Sequence, residues 1–491
     1  MKSLKLVFSI SFILISCFSC NVLDVSPVSV ITNNTFWKTQ NDAEGALNGM
    51  YVNLRAIEDA LTAVGEQRSE IFQGGVYGTG GNDMLHNALS ADQPLHTDWR
   101  IYYTVINSAN LILKYVPGIT FSSEAAKNSI LAQAYTMRAF TYFAMTKTWG
   151  DLIIRTEPTE SASADVTVKE RSPQAEIFKL IKDDLEKALQ LYPDNNFPTG
   201  RFKWSKPAAQ AVKADVHLWT AKRLNGGQGD FTTALAAIGE IEKADVSLLP
   251  NYGDLFQYAN KGNKEIVMAI RFQDLDGAAN NHFWRQWIIG SAVPANTDAE
   301  TLKMINPVGS GQGLLVVTDL VRKQFTEDDT RKKASFHEVY TYDAAGKPTF
   351  YTTLTMKGQG VIVGGNRLFL SDIILYRYAD ILLMKAEAKN ALGQDPSTEI
   401  NLVRQRAYKE NAGKHVFVSG TKEQNDEAIL KERLLELLFE GKRWWDLVRF
   451  GKAFDLVPNL QSKKGQNDLL LFPISNGVLS LEPKVKQNPG Y

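Results

Sequence analysis

Two short stretches of the chain carry the residue types that ligand recognition needs. Residues 66–83, EQRSEIFQGGVYGTGGND, set Arg68, Glu70, Phe72, Tyr77, Asn82 and Asp83 among glycines, and residues 280–287, NNHFWRQW, gather Asn280, Asn281, His282, Trp284, Arg285 and Trp287. Aromatic rings offer flat apolar faces, while guanidinium, carboxylate and amide groups offer directional hydrogen bonds. Held on loops over a rigid base, the two together suit a flat, hydroxyl-bearing ligand such as a sugar ring. Tyr77, flanked by glycines, is the ring best placed for exposure. Trp284 and Trp287 are equally suited to packing inside a second lobe, and Trp99, at a helical position, reads as core.

Catalytic patterns are sparse. The chain has no HExxH, G-x-S-x-G or Walker loop. Its six histidines, His86, His96, His217, His282, His337 and His415, are far apart in sequence, and His217 falls among apolar helical neighbours, so no metal site is expected. Gly309 to Gly313 is glycine-rich but lacks the strand and helix that a dinucleotide loop requires, and it reads as a flexible loop with no cofactor implied. Glycoside hydrolysis needs two opposed carboxylates. Glu66 with Glu70, or Asp328 with Asp329, can be nominated for that role, yet each reads as a surface or turn residue, and no enzyme is expected.

These loops must be held by something larger. The chain has 491 residues, 44% of them apolar, enough for two lobes or one elaborated domain. Lys plus Arg and Asp plus Glu each total 54, leaving no positive excess for nucleic acid or an anionic membrane surface. The first residues, MKSLKLVFSISFILISCFSC, place two lysines before an apolar run too short to span a bilayer, the form of an export signal. The only cysteines, Cys17 and Cys20, close that run, which excludes a disulfide framework for the body. Cysteine at this point is the pattern of a bacterial lipoprotein signal; Cys20 is taken as the lipidated residue, with Cys17 and cleavage after residue 16 as the alternative. A lipid-tethered body follows, since no later stretch is long and apolar enough to cross a membrane.

That body reads as mainly α. Residues 214–238 align without a gap to 379–403, so that Ala214, Asp215, Leu218, Ala221, Asn225, Asp230 and Thr233 meet Ala379, Asp380, Leu383, Ala386, Asn390, Asp395 and Thr398. Each copy predicts a helix, a Gly-containing turn and a second helix, with alanines where two helices cross closely: the logic of a tetratricopeptide hairpin with a period of about 34 residues. Residues 97–116, 125–148 and 174–191 add further helices, the first with Ile101, Val105, Ala109 and Ile112 on one face. Segments 66–96 and 251–370 lack helical period and predict a loop-rich second lobe, while 264–272 and 467–474 alternate as short strands would. Within ERLLELLFEGKRWWDLVRF, residues 432–450, Leu434, Leu438, Trp445 and Val448 follow helical spacing. Thr421 and Gln424 offer a capping box ahead of it, and Arg443, Asp446 and Arg449 stand three apart. The Trp444–Trp445 pair therefore reads as core with charged stems laid across it.

ERLLELLFEGKRWWDLVRFGK, together with LYRYADILLMKAEAKN at 375–390, also resembles the hallmark helices of the SusD/RagB family. LDVSPVSVITNNTFWKTQNDAEGALNGMY at 23–51, WRIYYTVINSANLIL at 99–113, RAFTYFAMTKTWGDL at 138–152 and the terminal QNPGY extend the resemblance along the mature chain in order. Ile153 and Ser475 stand where the family usually has proline, which alters local turns only. The resemblance implies a signal peptide at 1–19, an N-terminal region at 20–225 and a C-terminal region at 226–491, packed as one body. It implies a lipid-anchored protein on the outer face of the outer membrane that binds a glycan and passes it to a SusC-type TonB-dependent transporter. Peptide-binding relatives of the RagB type, and an exported all-helical glycan-degrading enzyme, are the alternatives. The resemblance further implies a ligand site on the loop-built side, where the two aromatic loops are expected to lie.

Overall fold

The computed structural model describes residues 36–78, 83–92, 98–161, 163, 167–274, 280–288, 290–305 and 311–491. The export segment with Cys17 and Cys20 lies outside these residues, as does Asn82. No helix among the described residues is long and apolar enough to cross a membrane.

The chain is mainly helical. Helix α1 (Gln40–Ala56) opens on a capping box between Thr39 and Asp42, and α2 (Glu58–Glu66) follows it. Next come α3 (Arg100–Tyr115), α4 (Glu124–Trp149, capped by Ser123) and α5 (Gln174–Leu191). Helix α6 (Lys206–Arg223) has Ser205 as its cap and Pro207 in its first turn, and α7 (Gly227–Ile241) closes the first repeat. The second repeat is α8 (Tyr378–Ala391) with α9 (Ser397–Tyr408), and α10 (Lys422–Leu437) and α11 (Arg443–Arg449) complete the scaffold. Each helix packs on the next from α3 to α10, except that α10 lies chiefly on α8.

The sequence repeat becomes two hairpins with the same crossing. Ala214, Leu218, Ala379, Leu383 and Ala386 are fully buried, which lets the helices approach closely. The first hairpin turns through Asn225 at φ 61° and the second through Gly393 at φ 74°. The two matched aspartates both reach toward the tryptophan stretch: Asp215 stands 3.5 Å from Arg449, and Asp380 accepts from Arg433 at 2.8 Å.

The stretch 432–450 is two helices rather than one. Helix α10 stops at Leu437, and α11 starts only at Arg443. Between them Phe439 and Gly441 take φ of 68° and 69°. Here α2 comes so close that a Cβ on Gly65 would lie 2.1 Å from the Gly441 carbonyl oxygen, so both positions require glycine. The expected pairing of Arg443 with Asp446 gives way to one of Arg443 with Glu70, whereas Asp446 does pair with Arg449 at 2.9 Å. The capping box of Thr421 and Gln424 is present.

Strands are few and short. Antiparallel pairs form between β1 (Phe72–Gly74) and β3 (Leu315–Val317), β2 (Ile266–Ile270) and β8 (Ile373–Arg377), β4 (Phe336–Tyr342) and β5 (Pro348–Thr355), and β6 (Val361–Val363) and β7 (Asn366–Leu368). The alternation at 264–272 thus becomes β2. That at 467–474 becomes a 3-10 turn, Asn467–Leu470, because its carbonyls are drawn inward by Arg68. Ile101, expected on the buried face of α3, is 41% exposed, while Val105, Ala109 and Ile112 are fully buried. The main apolar core of the described residues runs from Ala43 on α1 to Val485, with smaller clusters beside it.

Candidate binding surface

The two aromatic loops are far apart in sequence, and β3 with the loop before it brings them together. Gly75 N donates to Leu314 O at 2.9 Å, and Tyr77 N donates to Gly313 O at 3.3 Å. From the other side, Gln312 N donates to Trp284 O at 3.1 Å, Gly313 N to Trp287 O at 2.7 Å and Leu314 N to Arg285 O at 3.0 Å. The described part of the glycine-rich stretch, 311–313, is therefore a rivet between the two loops. A Cβ on Gly311 would stand 1.8 Å from the Trp287 carbonyl oxygen, and one on Gly75 would stand 2.1 Å from that of Gly313.

Tyr77 sits at the tip of a tight turn in which Gly75 and Gly78 exchange two backbone hydrogen bonds of 2.9 Å. Its ring is 48% exposed, although strand β1 behind it is anchored in the core. Tyr351 on β5 is a neighbour, half-buried, its hydroxyl donating to Ala292 O at 2.8 Å. Burial raises the Tyr351 phenol, and the Tyr77 phenol beside it raises it further. Trp284 is half-buried at the end of a helical turn, Asn281–Trp284, which Asn280 caps through Phe283 N. That turn is fastened to α2, because Asn281 N donates to Glu58 Oε1 at 3.2 Å and Arg285 pairs with Asp59.

Five of the other nominated residues are interior. Arg68 is buried, its Nε donating to Asn87 Oδ1 at 2.8 Å and its Nη1 to the carbonyls of Leu470 and Leu471 at 3.1 Å. Its guanidinium lies 4.3 Å from the Trp444 ring centre. Glu70 accepts from Arg443 Nε at 2.9 Å, and Phe72 stacks on Phe439 with centroids 5.5 Å apart. His282 faces the Phe439 carbonyl oxygen at 3.2 Å, and Trp287 Nε1 donates to Thr355 O at 3.0 Å beneath the Arg367 guanidinium. Each of the five is committed to an internal partner and presents no free face to solvent; they hold the loops rather than a ligand. Asp83 is half-buried at the start of a 3-10 turn, Asp83–His86.

The carboxylates nominated for hydrolysis also differ from expectation. Glu66, Glu70 and Asp329 are buried rather than on the surface. Asp329 accepts from Arg331 Nη2 at 2.8 Å, within an ion network in which Arg331, Arg377 and Arg406 interleave with Glu265, Glu432 and Glu436. Asp328 stays near the surface, 2.8 Å from His415 Nε2, and His217 meets Asp230 at 2.7 Å. Burial raises Glu66 to about 8 and lowers His282 to about 4, with Glu66 Oε2 3.6 Å from His282 Nε2.

Tyr351 is absent from the sequence candidates, because PTFYTTLT at 348–355, which forms β5, lies inside a segment that reads as loop.

A helical-hairpin scaffold that carries an exposed aromatic on a riveted loop surface is the architecture of a binding protein. The family model described as "SusD family" matches residues 364–466, and one described as "Starch-binding associating with outer membrane" matches residues 23–218. SusD-like protein P38 of Formosa agariphila is 29% identical over 514 residues, covering 100% of this chain and 99% of its own. Among solved structures, NanU of B. fragilis is 32% identical with a TM-score of 0.84, covering 95% of this chain and 100% of its own. A SusD superfamily protein of Bacteroides vulgatus is 30% identical with a TM-score of 0.83, covering 93% and 100%. The chain belongs to the SusD family.

Proposed function

We propose that this protein is a cell-surface glycan-binding lipoprotein that captures oligo- or polysaccharide and delivers it to a partner SusC-type TonB-dependent transporter. It is held at the outer membrane, facing outward, by lipid on Cys20 or Cys17. The observation that carries the reading is Tyr77, an exposed ring on a rigid strand pair beside Tyr351, at the junction of three loops. A sugar ring lies its C–H face on such an aromatic, and the backbone hydrogen bonds of the junction hold that ring's turn in place. The starch-binding description of the family model supports the ligand class, as does a laminarin-binding SusD-like protein of the same fold (TM-score 0.75, 22% identity). No catalytic step is assigned, since the nominated carboxylates serve ion pairs or buried structure.

The test is affinity electrophoresis of the purified protein against plant, algal and host polysaccharides. Retardation by one polymer without shortening of that polymer, lost in Tyr77→Ala at unchanged melting temperature, is the expected result. Retardation by none, with capture of defined peptides instead, would replace this reading by that of a peptide-binding relative.

A further inference from the structure

Away from Tyr77, helix α1, residues 202–203 and the end of β2 enclose a groove of about 290 Å³. That is at the lower edge of the roughly 300–1,000 Å³ typical of small-molecule sites. Its wall carries Arg55, Lys203 and Arg271 with the amides of Asn48 and Gln273 and the ring of Phe202, and no carboxylate among the described residues. In a chain whose charges balance, such a one-signed lining is unusual. The groove between α5 and the α6–α7 turn, by contrast, mixes Lys179, Lys182 and Arg223 with Asp183 and Asp230.

The positive charge of Arg271 and Lys203 is only partly cancelled nearby. Asp372, behind the groove, is shared between Arg271 Nε at 2.9 Å and Lys261 Nζ at 3.0 Å, so one negative charge serves two cations. Lys203 Nζ donates to Asn48 Oδ1 at 3.1 Å, a neutral amide that balances no charge. Arg271 is held firmly, its guanidinium 4.7 Å from the Phe202 ring centre and its Nη2 donating to Gly200 O at 2.8 Å. A low-dielectric wall lined by one sign of charge concentrates ions of the other sign. Guanidinium and ammonium groups form charge-assisted hydrogen bonds to carboxylate or sulfate oxygens.

We propose that this groove is a subsite for an anionic sugar, one bearing a carboxylate or a sulfate ester. Lys203 and Arg271 hold the anionic group, Asn48 and Gln273 meet hydroxyls, and Phe202 supplies an apolar edge for the sugar ring. The proposal deepens the glycan-binding reading and rests on it for the ligand class. It adds that the captured glycan carries negative charge.

The probes are trigalacturonate for the carboxylate, a sulfated oligosaccharide of similar length for the ester, and neutral laminaritriose, titrated calorimetrically into the purified protein at low and at high salt. At least one acidic probe should bind, more weakly at high salt as screening increases. In Lys203→Gln its affinity should fall by about tenfold, close to 1.4 kcal/mol. Lys179→Gln on α5 should leave it unchanged. Binding by the uronate alone or the sulfate alone names the anionic group. Two results overturn the proposal: neither acidic probe binds, or one binds the Lys203→Gln protein and a Lys203→Gln, Phe202→Leu double variant as tightly as it binds the parent. If acidic probes fail while a neutral polymer is still retarded in electrophoresis, the groove falls and the Tyr77 surface stands. Lys203-dependent acidic binding with no role for Tyr77 on any glycan would instead leave the groove standing and the Tyr77 surface fallen.

Discussion

Lys147 places its ammonium 5.1 Å from the ring centre of Trp445 and 4.1 Å from that of Phe143, with Trp219 at 5.7 Å. The second tryptophan of the pair is thus a wall around a cation of the protein itself. Burial lowers the Lys147 amine to about 8; Asp215 and Asp446 act against that shift, while Lys442 and Arg449 reinforce it. In the unfolded chain the amine keeps its proton to about 10.5. Between these values the unfolded state binds more protons, so stability rises with pH through this window. Lys147→Met should therefore show a flatter rise from pH 8 to 10.5 than the parent when urea unfolding is measured at several pH values. Parallel curves for the two proteins would mean the amine is fully solvated.

Trp445 is 7% exposed and meets Trp219 edge-on, with centroids 6.1 Å apart. Trp445→Ala removes a large side chain from a packed site and should cost about 3–5 kcal/mol of stability. Glycan retardation should persist in whatever fraction remains folded. Chemical denaturation and affinity electrophoresis on the same preparation check both halves. Lost binding at unchanged stability would make the pair a ligand platform.

The helices were legible because their signals are local. Ala214 and Ala379, with their periodic neighbours, carry the hairpin geometry within some 25 residues, and Thr421 with Gln424 announces the start of α10. Burial of the loop residues was not legible, because their partners lie elsewhere in the chain. Arg68 bonds to a carbonyl 402 residues away, and Glu70 to an arginine 373 residues away. Composition marks such residues as able to bind something, and the fold decides that the something is internal. Tyr77 escaped this fate because glycines on both sides let its turn protrude. The break between α10 and α11 was hidden for a similar reason, since Gly441 is forced by the approach of Gly65 from a distant helix.

The buried ion network makes a sharper demand on geometry than on charge. Arg377 is fully buried and donates to Glu265 Oε1 at 2.9 Å, Glu436 Oε1 at 2.6 Å and Glu440 Oε2 at 2.8 Å. Replacing it by methionine leaves these carboxylates short of a partner in the interior and should cost about 3–5 kcal/mol. Arg377→Lys keeps the charge but loses the planar fork, so it should recover only part of that loss. Thermal and urea unfolding of both variants tests the ranking; equal stability of lysine and arginine here would mean that charge alone suffices.

Glu66 and His282 form the complementary case, a pair kept uncharged. With Glu66 raised to about 8 and His282 lowered to about 4 by burial, both are neutral near pH 6. Lys357 and Glu440 also face Glu66, as do the backbone amides of Phe439 and Gly441. The unfolded glutamate releases its proton near 4.5 while the folded one keeps it to about 8. The folded state therefore binds more protons between those values, and this group's stabilising contribution is complete below 4.5 and lost as pH rises to 8. Glu66→Gln fixes the neutral form, so its stability should decline less between pH 5 and 8 than that of the parent. Glu58, also raised to about 8, is present in both proteins and cancels in the comparison. Denaturant midpoints at half-unit pH intervals measure the difference, and a constant offset across the whole range would show that Glu66 is already ionised in the folded protein.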